Sequence, residues 1–233
     1  MGRVVATMRS IVRLIEFDPA THSIAECYRM LIGLVVPRPI AVVGTRSPDG
    51  SSTNLAPFSF FTGGGSVPMT LLFCPANHDD GSEKDSLRNA KPIADGGSGE
   101  FTVSICTHAI LNGVVACSEP LDYAASEFDL AGLKPRASSR IAAPGVAESP
   151  ATFECRTLRV IRLAEGRSSG GNIVIGEVVW LHIDDAVLDA RGRVAADALQ
   201  AIGRMGGIEY CATARRGSLP FGRASLEQSN PFA

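Results

Sequence analysis

A chain of 233 residues is long enough for one large domain or two small ones, and β-barrels often reach this length as a single domain. Its composition, 45% hydrophobic and 20% charged, is that of a globular protein with a substantial core. The formal net charge of -2 and the lack of any block of like charge argue against a nucleic-acid partner.

The N-terminal segment and the cysteines bear on where the protein works. Residues 1–16 are apolar but interrupted by arginines, so they match neither a secretory signal nor a membrane span. The six cysteines have no CxxC pair and no metal-type spacing, which suits reduced, buried thiols. We therefore expect a cytoplasmic protein without a membrane partner, and we treat residues 1–16 as an extension outside the core.

The first regular elements are a helix and a β-hairpin. Apolar residues recur at helical spacing over residues 21–35. Ile40 to Thr45 then forms a short β-branched strand, which the turn Pro48-Asp49-Gly50 closes. The return strand is expected to run from about Ser52 towards Phe61.

Pro57 stands inside that return strand. Proline cannot donate to a ladder, so the chain at Pro57 is expected to interrupt the strand and to lie at an edge or a bulge. Residues 54–59 therefore have two interpretations. They form either a kinked edge strand or a backbone-lined site for a flat ligand with polar edges.

The stretch after the hairpin contains a glycine run and an anion-binding pattern. Gly63-Gly64-Gly65 predicts a loop, and Met69 to Cys74 predicts a buried strand. Ser82-Glu83-Lys84-Asp85 has the form of a helix N-terminal capping signature, with one short helix ending near Ala90. Lys84, Ser86 and Arg88 near a helix start could hold an anion such as a phosphate. The alternative is a capped surface helix with solvated charges.

The second half of the chain predicts further strands around one long connection. A strand is expected over residues 100–106, short helices or turns over 109–117 and 122–128, and a crossing loop over 130–149. A second hairpin then pairs residues 152–163 with 172–184.

Two motifs, one in each half of the chain, are rejected because of their sequence context. Gly166 to Gly170 matches the G-x-S-x-G pattern of serine hydrolases, but a strand rather than a helix follows it, so a turn is expected. His78 beside Asp79 and Asp80 is not expected to bind a metal, because adjacent loop residues rarely share one ion, and no metal is predicted. A short helix over residues 194–202 and a tail over 216–233 complete the chain.

The ordered series of motifs closely resembles the flavin reductase-like, FMN-binding split β-barrel family, including its flavoredoxin branch. The resemblance covers roughly residues 20–215 and rests on Arg38-Pro39-Ile40-Ala41, Asn54-Leu55-Ala56-Pro57-Phe58-Ser59-Phe60-Phe61, Lys84-Asp85-Ser86-Leu87-Arg88-Asn89, Gly99-Glu100-Phe101, Glu127-Phe128, Gly132-Leu133, Ser149-Pro150, Glu154-Cys155, Gly176-Glu177-Val178, Gly203-Arg204 and Gly206-Gly207. It implies a mainly β fold, an antiparallel Greek-key split β-barrel with short covering helices, in one domain spanning residues 1–233. It also implies a homodimer with FMN near the dimer interface.

The same resemblance assigns residues to the cofactor. Lys84, Asp85 and Ser86 would surround the FMN phosphate, and Thr45 and Arg46 lie where the family approaches the cofactor. The main chain of Asn54, Leu55, Ala56, Pro57, Phe58 and Ser59 would face the polar edge of the flavin ring. Arg204 and Tyr210 would close over the ring from the C-terminal side. No catalytic acid or base is assigned, because a direct hydride transfer to a flavin requires none.

Three functions follow from this resemblance. The first is a flavin reductase that moves electrons from NAD(P)H through FMN to a flavin, oxygen or a protein acceptor such as a monooxygenase. The second is a flavoredoxin-like electron-transfer protein without NAD(P)H activity of its own. The third is a non-catalytic flavin-binding barrel.

Overall fold

The computed structural model describes residues 14–232, so most of the predicted N-terminal extension lies outside the described part. The helices are α1 (Ile24–Leu34), α2 (Asp85–Ala90), α3 (Leu111–Ala116), α4 (Glu127–Ala131) and α5 (Ala196–Leu199). The strands are β1 (Arg38–Pro39), β2 (Ala41–Arg46), β3 (Thr53–Phe58), β4 (Phe61–Ser66), β5 (Met69–Phe73), β6 (Glu100–Ile105), β7 (Pro135–Arg136), β8 (Gly145–Val146), β9 (Ala151–Arg162), β10 (Asn172–Ile183), β11 (Ile202–Arg204) and β12 (Tyr210–Ala212).

Seven strands form one antiparallel sheet in the order β3-β2-β6-β9-β10-β5-β4. Its two edge strands, β3 and β4, are consecutive in the chain and are joined by only Ser59 and Phe60. The two edges must therefore approach each other, which curls the sheet into a barrel that stays split between β3 and β4. The predicted antiparallel, mainly β split barrel is confirmed.

The core lies on both sides of β2, because alternate side chains of a strand point to opposite faces. Val43 packs in the barrel interior with Phe73 and Phe101. Val42 faces the opposite way, into a second cluster with Val114 of α3 and Phe128 of α4. Helices α3 and α4 thus cover the outside of the sheet beside β3.

The predicted helix over residues 21–35 is confirmed as α1. Ser23 caps it, since its hydroxyl accepts from the N–H of Glu26 while the Glu26 carboxylate accepts from the N–H of Ser23. This reciprocal pair is a capping box, which satisfies two N–H groups that the first turn leaves free.

Several predicted elements differ from the structure. Gly63-Gly64-Gly65 is part of strand β4, not a loop, and Gly64 lies at a register shift against β5, where a bulge admits glycine. The predicted helix over residues 194–202 is wrong at its end, because Ile202 starts β11. Within the predicted loop over residues 130–149, β7 and β8 pair as a short hairpin.

The strand that contains Pro57 is also corrected. Pro57 does not interrupt β3, which continues to Phe58 with Pro57 opposite Val42 of β2. The strand tolerates proline because β3 is an edge strand with a neighbour on one side only. The prediction of an edge position is confirmed, and the prediction of a break is wrong.

Candidate functional site

A cleft of about 640 Å³ lies beside the free edge of β3, and we call it the edge cleft. Its walls come from Asn54 and residues 56–58 of β3, residues 84–86 at the start of α2, the loop 117–123, and Glu127 of α4. The volume falls within the range of about 300–1,000 Å³ that is usual for cofactor sites. Two stretches that are distant in sequence, both predicted as binding segments, are therefore adjacent in space.

The helix start in the edge cleft differs from the predicted one. Lys84, in extended conformation, occupies the N-cap position of α2, and its side chain makes no capping bond. Ser82, predicted within the capping signature, instead donates to the Asp80 carboxylate at 2.6 Å. Because α2 has only six residues, an anion here depends on side chains more than on the helix dipole.

Lys84 and Ser86 are the groups at this end of the cleft that can bind an anion. Lys84 is exposed, whereas Lys91 of the same segment is held by Glu83 in a 2.7 Å ion pair. Ser86 is only 2% exposed, and its hydroxyl lies 3.0 Å from the side-chain amide of Asn54. An exposed cation and an anchored hydroxyl thus face the same space.

The main chain of β3 is only partly available to a ligand. The N–H of Leu55 points away from β2 and donates to Oε2 of Glu127 at 2.8 Å. Leu55 itself is fully buried and does not belong to the cleft lining. Pro57 is two positions from Leu55 and so faces the same free edge, but it has no N–H, so at this position the strand offers a ligand a carbonyl oxygen and no donor.

Thr45 and Arg46 lie apart from the edge cleft. Thr45 is fully buried, and its hydroxyl accepts from Nδ2 of Asn89 at 3.1 Å, which ties β2 to α2. The guanidinium of Arg46 donates to the carbonyl of Gly50 in its own hairpin and lines a different groove. Thr45 therefore holds the helix that carries Lys84 and Ser86.

A second, smaller pocket of about 210 Å³ adjoins the edge cleft and is called the terminal pocket. The two share Pro57 and Ser118 as lining residues. Arg204 lies over the ring of Tyr210, with its guanidinium carbon 4.5 Å from the ring centroid, and donates to the carbonyl of Gly207. Arg204 and Tyr210, the pair predicted from the sequence, thus line the terminal pocket, which meets the edge cleft at Pro57.

Carboxylates dominate the charge of the edge cleft. Asp85, Glu119, Asp122 and Glu127 line it, against the single lysine, Lys84. Burial raises the pKa of Asp85, and burial followed by the negative charge of Asp85 raises the pKa of Glu127. A bound anion is therefore confined to the end of the cleft where Lys84 and Ser86 lie.

Among residues 14–232, no group of three or more His, Cys, Asp and Glu side chains is arranged to hold a metal ion. His182 hydrogen-bonds the buried Glu154. Within the same range, no helix is long and apolar enough to cross a bilayer.

Comparison with known proteins decides the family. The sequence model of the flavin reductase like domain matches residues 33–197. An uncharacterized protein of Deinococcus radiodurans is 37% identical over 198 residues, which cover 82% of each chain. The chain belongs to the flavin reductase-like family.

Solved structures of two named proteins are similar to this flavin reductase-like chain. Component B of nitrilotriacetate monooxygenase from Bacillus cereus is 29% identical, with a TM-score of 0.81 over 89% of this chain and 100% of that one. The 2-nitrobenzoate 2-nitroreductase NbaA of Pseudomonas fluorescens is 27% identical, with a TM-score of 0.76 over 90% of this chain and 97% of that one.

Two residues that line this family member's cleft, Glu127 and Tyr123, were assigned no role from the sequence. Glu127 stood in a family motif, but its contact with Leu55 spans 72 positions and no local pattern predicts it. Tyr123 lies under Arg88, whose guanidinium carbon is 3.8 Å from the ring centroid, and donates to Asn89 at 2.6 Å. These contacts fasten the loop 117–123 to α2, so they fix the outer wall of the cleft.

Proposed function

We propose that this chain is an FMN-dependent oxidoreductase of the flavin reductase type. The observation that carries the proposal is the edge cleft, in which Lys84 and Ser86 face the free edge of β3. FMN combines a phosphate dianion with a planar ring whose edge is polar. The donors at one end of the cleft suit the phosphate, and the strand edge at the other suits the ring.

The proposed assignment of residues follows from where each lies. Lys84 supplies charge to the phosphate and Ser86 a hydroxyl, while Asp85, whose pKa burial raises, also lines the cleft. The backbone of residues 56–58 faces the ring. Arg204 and Tyr210 line the adjoining terminal pocket, from which they can cover the exposed face of a ring held against Pro57.

The flavin itself would supply the redox chemistry, accepting a hydride from NAD(P)H and passing electrons onward. The protein's part is to bind the cofactor, orient it and leave one face open to the donor. The names of two relatives, a monooxygenase component and a nitroreductase, support transfer either to a protein partner or to a small acceptor. We propose oxygen, a second flavin or a partner monooxygenase as acceptors.

We also propose that the protein is a homodimer. Helix α1 presents large apolar side chains to solvent, with Tyr28 55%, Leu31 49% and Leu34 76% exposed. Tyr28 lines the terminal pocket as well, so a partner seated on α1 would border the site. An apolar helical face of this kind is stabilised when it is covered. The free cysteines support a cytoplasmic location.

The visible spectrum of the purified protein tests the proposed function. Flavin absorbance that bleaches anaerobically with NADH or NADPH is the expected result. A yellow protein that neither nucleotide bleaches would contradict the reductase and leave an electron carrier. Failure to bind added FMN, measured by fluorescence quenching, would leave only a non-catalytic barrel.

A further inference from the structure

Glu127 lies beneath the edge cleft and contacts two groups of β3. Its carboxylate, on a residue 6% exposed, accepts from the N–H of Leu55 through Oε2 at 2.8 Å. Its other oxygen, Oε1, lies 3.3 Å from the side-chain amide of Asn54. Asn54 in turn lies 3.0 Å from the Ser86 hydroxyl, so the three side chains form one chain of contacts.

The orientation of the Asn54 amide depends on the charge of Glu127. With the carboxylate ionised, the amide nitrogen faces Oε1, while the amide oxygen accepts from Ser86 Oγ at 3.0 Å and from the Leu55 N–H at 3.2 Å. The opposite orientation sets the amide oxygen against a carboxylate oxygen, which places two acceptors in contact. Ionised Glu127 therefore favours the first orientation.

The first orientation is unfavourable for an anion at Ser86. A hydroxyl has one proton to donate, and here Ser86 gives it to Asn54. Its lone pairs then face the cleft. A phosphate oxygen accepts hydrogen bonds. To bind here it must either take the Ser86 hydroxyl proton from its bond to Asn54 or face the lone pairs of the Ser86 oxygen.

The opposite orientation removes this conflict. Nδ2 of Asn54 then donates to Ser86 Oγ at 3.0 Å, and the hydroxyl proton of Ser86 is free for the cleft. The amide oxygen now faces Oε1 of Glu127, which is favourable only when that oxygen carries a proton to donate. The Leu55 N–H keeps its bond to Oε2 in both arrangements, although in this one Nδ2 of Asn54 lies 3.2 Å from the Leu55 nitrogen, a donor beside a donor.

We propose that Glu127 is a positioning residue that couples capture of a phosphate at Ser86 to uptake of one proton by its carboxyl group. The inference rests on the proposed FMN site and adds to it a proton linkage through Asn54. The proton balance is simple: one proton moves from solvent to Oε1 as the anion binds, and it returns to solvent on release. Affinity at this site then falls as the pH rises, by at most about tenfold per unit.

The surroundings of Glu127 raise its pKa. Burial is the largest cause and the negative charge of Asp85 on α2 adds to it, while the N–H of Leu55 acts in the opposite direction. Cys117, which follows α3, contacts the main chain of Glu127 as a neutral thiol, whose pKa burial raises to about 12, with Sγ 3.9 Å from the Glu127 carbonyl oxygen. The other titratable groups that share the cleft are Lys84, His78, Glu119, Asp122 and Tyr123.

Glu127→Gln is the decisive variant because glutamine reproduces the protonated carboxyl group. Its oxygen can accept from Leu55, and its NH₂ can donate to the Asn54 oxygen. Titration calorimetry with FMN near pH 7.5, in two buffers of different ionisation enthalpy, counts the protons taken up while the phosphate is mostly dianionic. Riboflavin, which lacks the phosphate, is the matched ligand, and Ser86→Ala is the second variant.

The expected result is uptake of up to about one proton with FMN by the unmodified protein, and none with riboflavin. Uptake should vanish in Glu127→Gln, which keeps or gains affinity, and in Ser86→Ala, which loses affinity. Equal uptake in the unmodified protein and Glu127→Gln would overturn the inference while leaving the FMN site standing. If FMN does not bind at all, the proposed function fails first.

Discussion

The carboxylate of Glu154, fully buried on β9, lies 2.6 Å from Nε2 of His182 on the neighbouring strand β10. The same carboxylate accepts the N–H groups of Ser139 and Arg140 at 2.6 and 2.7 Å. One side chain thus fastens the connection between β7 and β8 to the barrel. It satisfies two loop amides that have no strand to pair with.

This arrangement predicts that the free energy of unfolding decreases as the pH falls into the acid range. Burial would raise the pKa of Glu154, but the N–H groups of Ser139 and Arg140 and the His182 ring outweigh it, so the pKa is lowered. Because the pKa of Glu154 is lowered in the folded state, its contribution to the free energy of unfolding is complete above the ordinary carboxyl pKa. It is lost as the pH falls through the folded value.

Glu154→Gln should therefore lower the free energy of unfolding by about 1–3 kcal/mol at neutral pH, because one loop N–H then faces an NH₂ group. Urea denaturation at neutral pH and at pH values below the ordinary carboxyl pKa measures both the loss and its dependence on acid. Glu177→Gln, on β10 and half-buried, is the matched control and should change little. Equal effects of the two substitutions would contradict the role of Glu154.

Close packing of β2 against the crossing segment predicts a second effect on stability. A Cβ added to Gly44 would lie 2.1 Å from the carbonyl oxygen of Pro144, which is backbone and cannot rotate away. Gly44→Ala should lower the free energy of unfolding by about 1–3 kcal/mol or more through overpacking. At Gly63 an added Cβ meets no atom within 4 Å, so Gly63→Ala is the control in thermal denaturation.

Elements determined by residues close together in the chain could be predicted from the sequence, whereas elements determined by distant residues could not. Alternation and turn residues predicted the hairpins around β2 and β9, because neighbouring residues determine them. Gly63-Gly64-Gly65 read as a loop, since glycine lacks strand propensity, yet pairing with β5 decides its conformation.

The candidate site shows the same limit. Lys84 and the β3 edge were predicted as binding groups, and both line the edge cleft. Which way Thr45 and Leu55 point depends on what packs against β2 and β3, and that packing comes from α2, α3 and α4. No local pattern contains this information.

Charge at the edge cleft predicts how FMN affinity responds to mutation. Lys84→Ala should weaken FMN binding about tenfold or more, because an ammonium–phosphate contact is a charge-assisted bond. The loss should shrink at high salt, which screens an exposed lysine. Lys134, which is exposed and does not line the edge cleft, gives the control Lys134→Ala. Fluorescence titration with FMN measures both, and equal loss in the two variants would place the phosphate elsewhere.

The apolar face of α1 predicts the oligomeric state. Leu31→Glu should convert a dimer to a monomer, because a carboxylate replaces an apolar contact at the centre of that face. Light scattering coupled to size exclusion reports the mass directly. Leu163, 67% exposed at the end of the β9 region, provides Leu163→Glu as a control that should leave the mass unchanged. A monomeric unmodified protein would exclude this use of α1.

The free edge of β3 has a further consequence for self-association. An unpaired strand edge normally invites a strand from another molecule, and such additions lead to aggregation. Here Pro57 offers no N–H, and the N–H of Leu55 is already held by Glu127. An incoming strand would find carbonyls without the alternating donors that a ladder requires. The same edge that is open to a planar small molecule is therefore closed to a polypeptide.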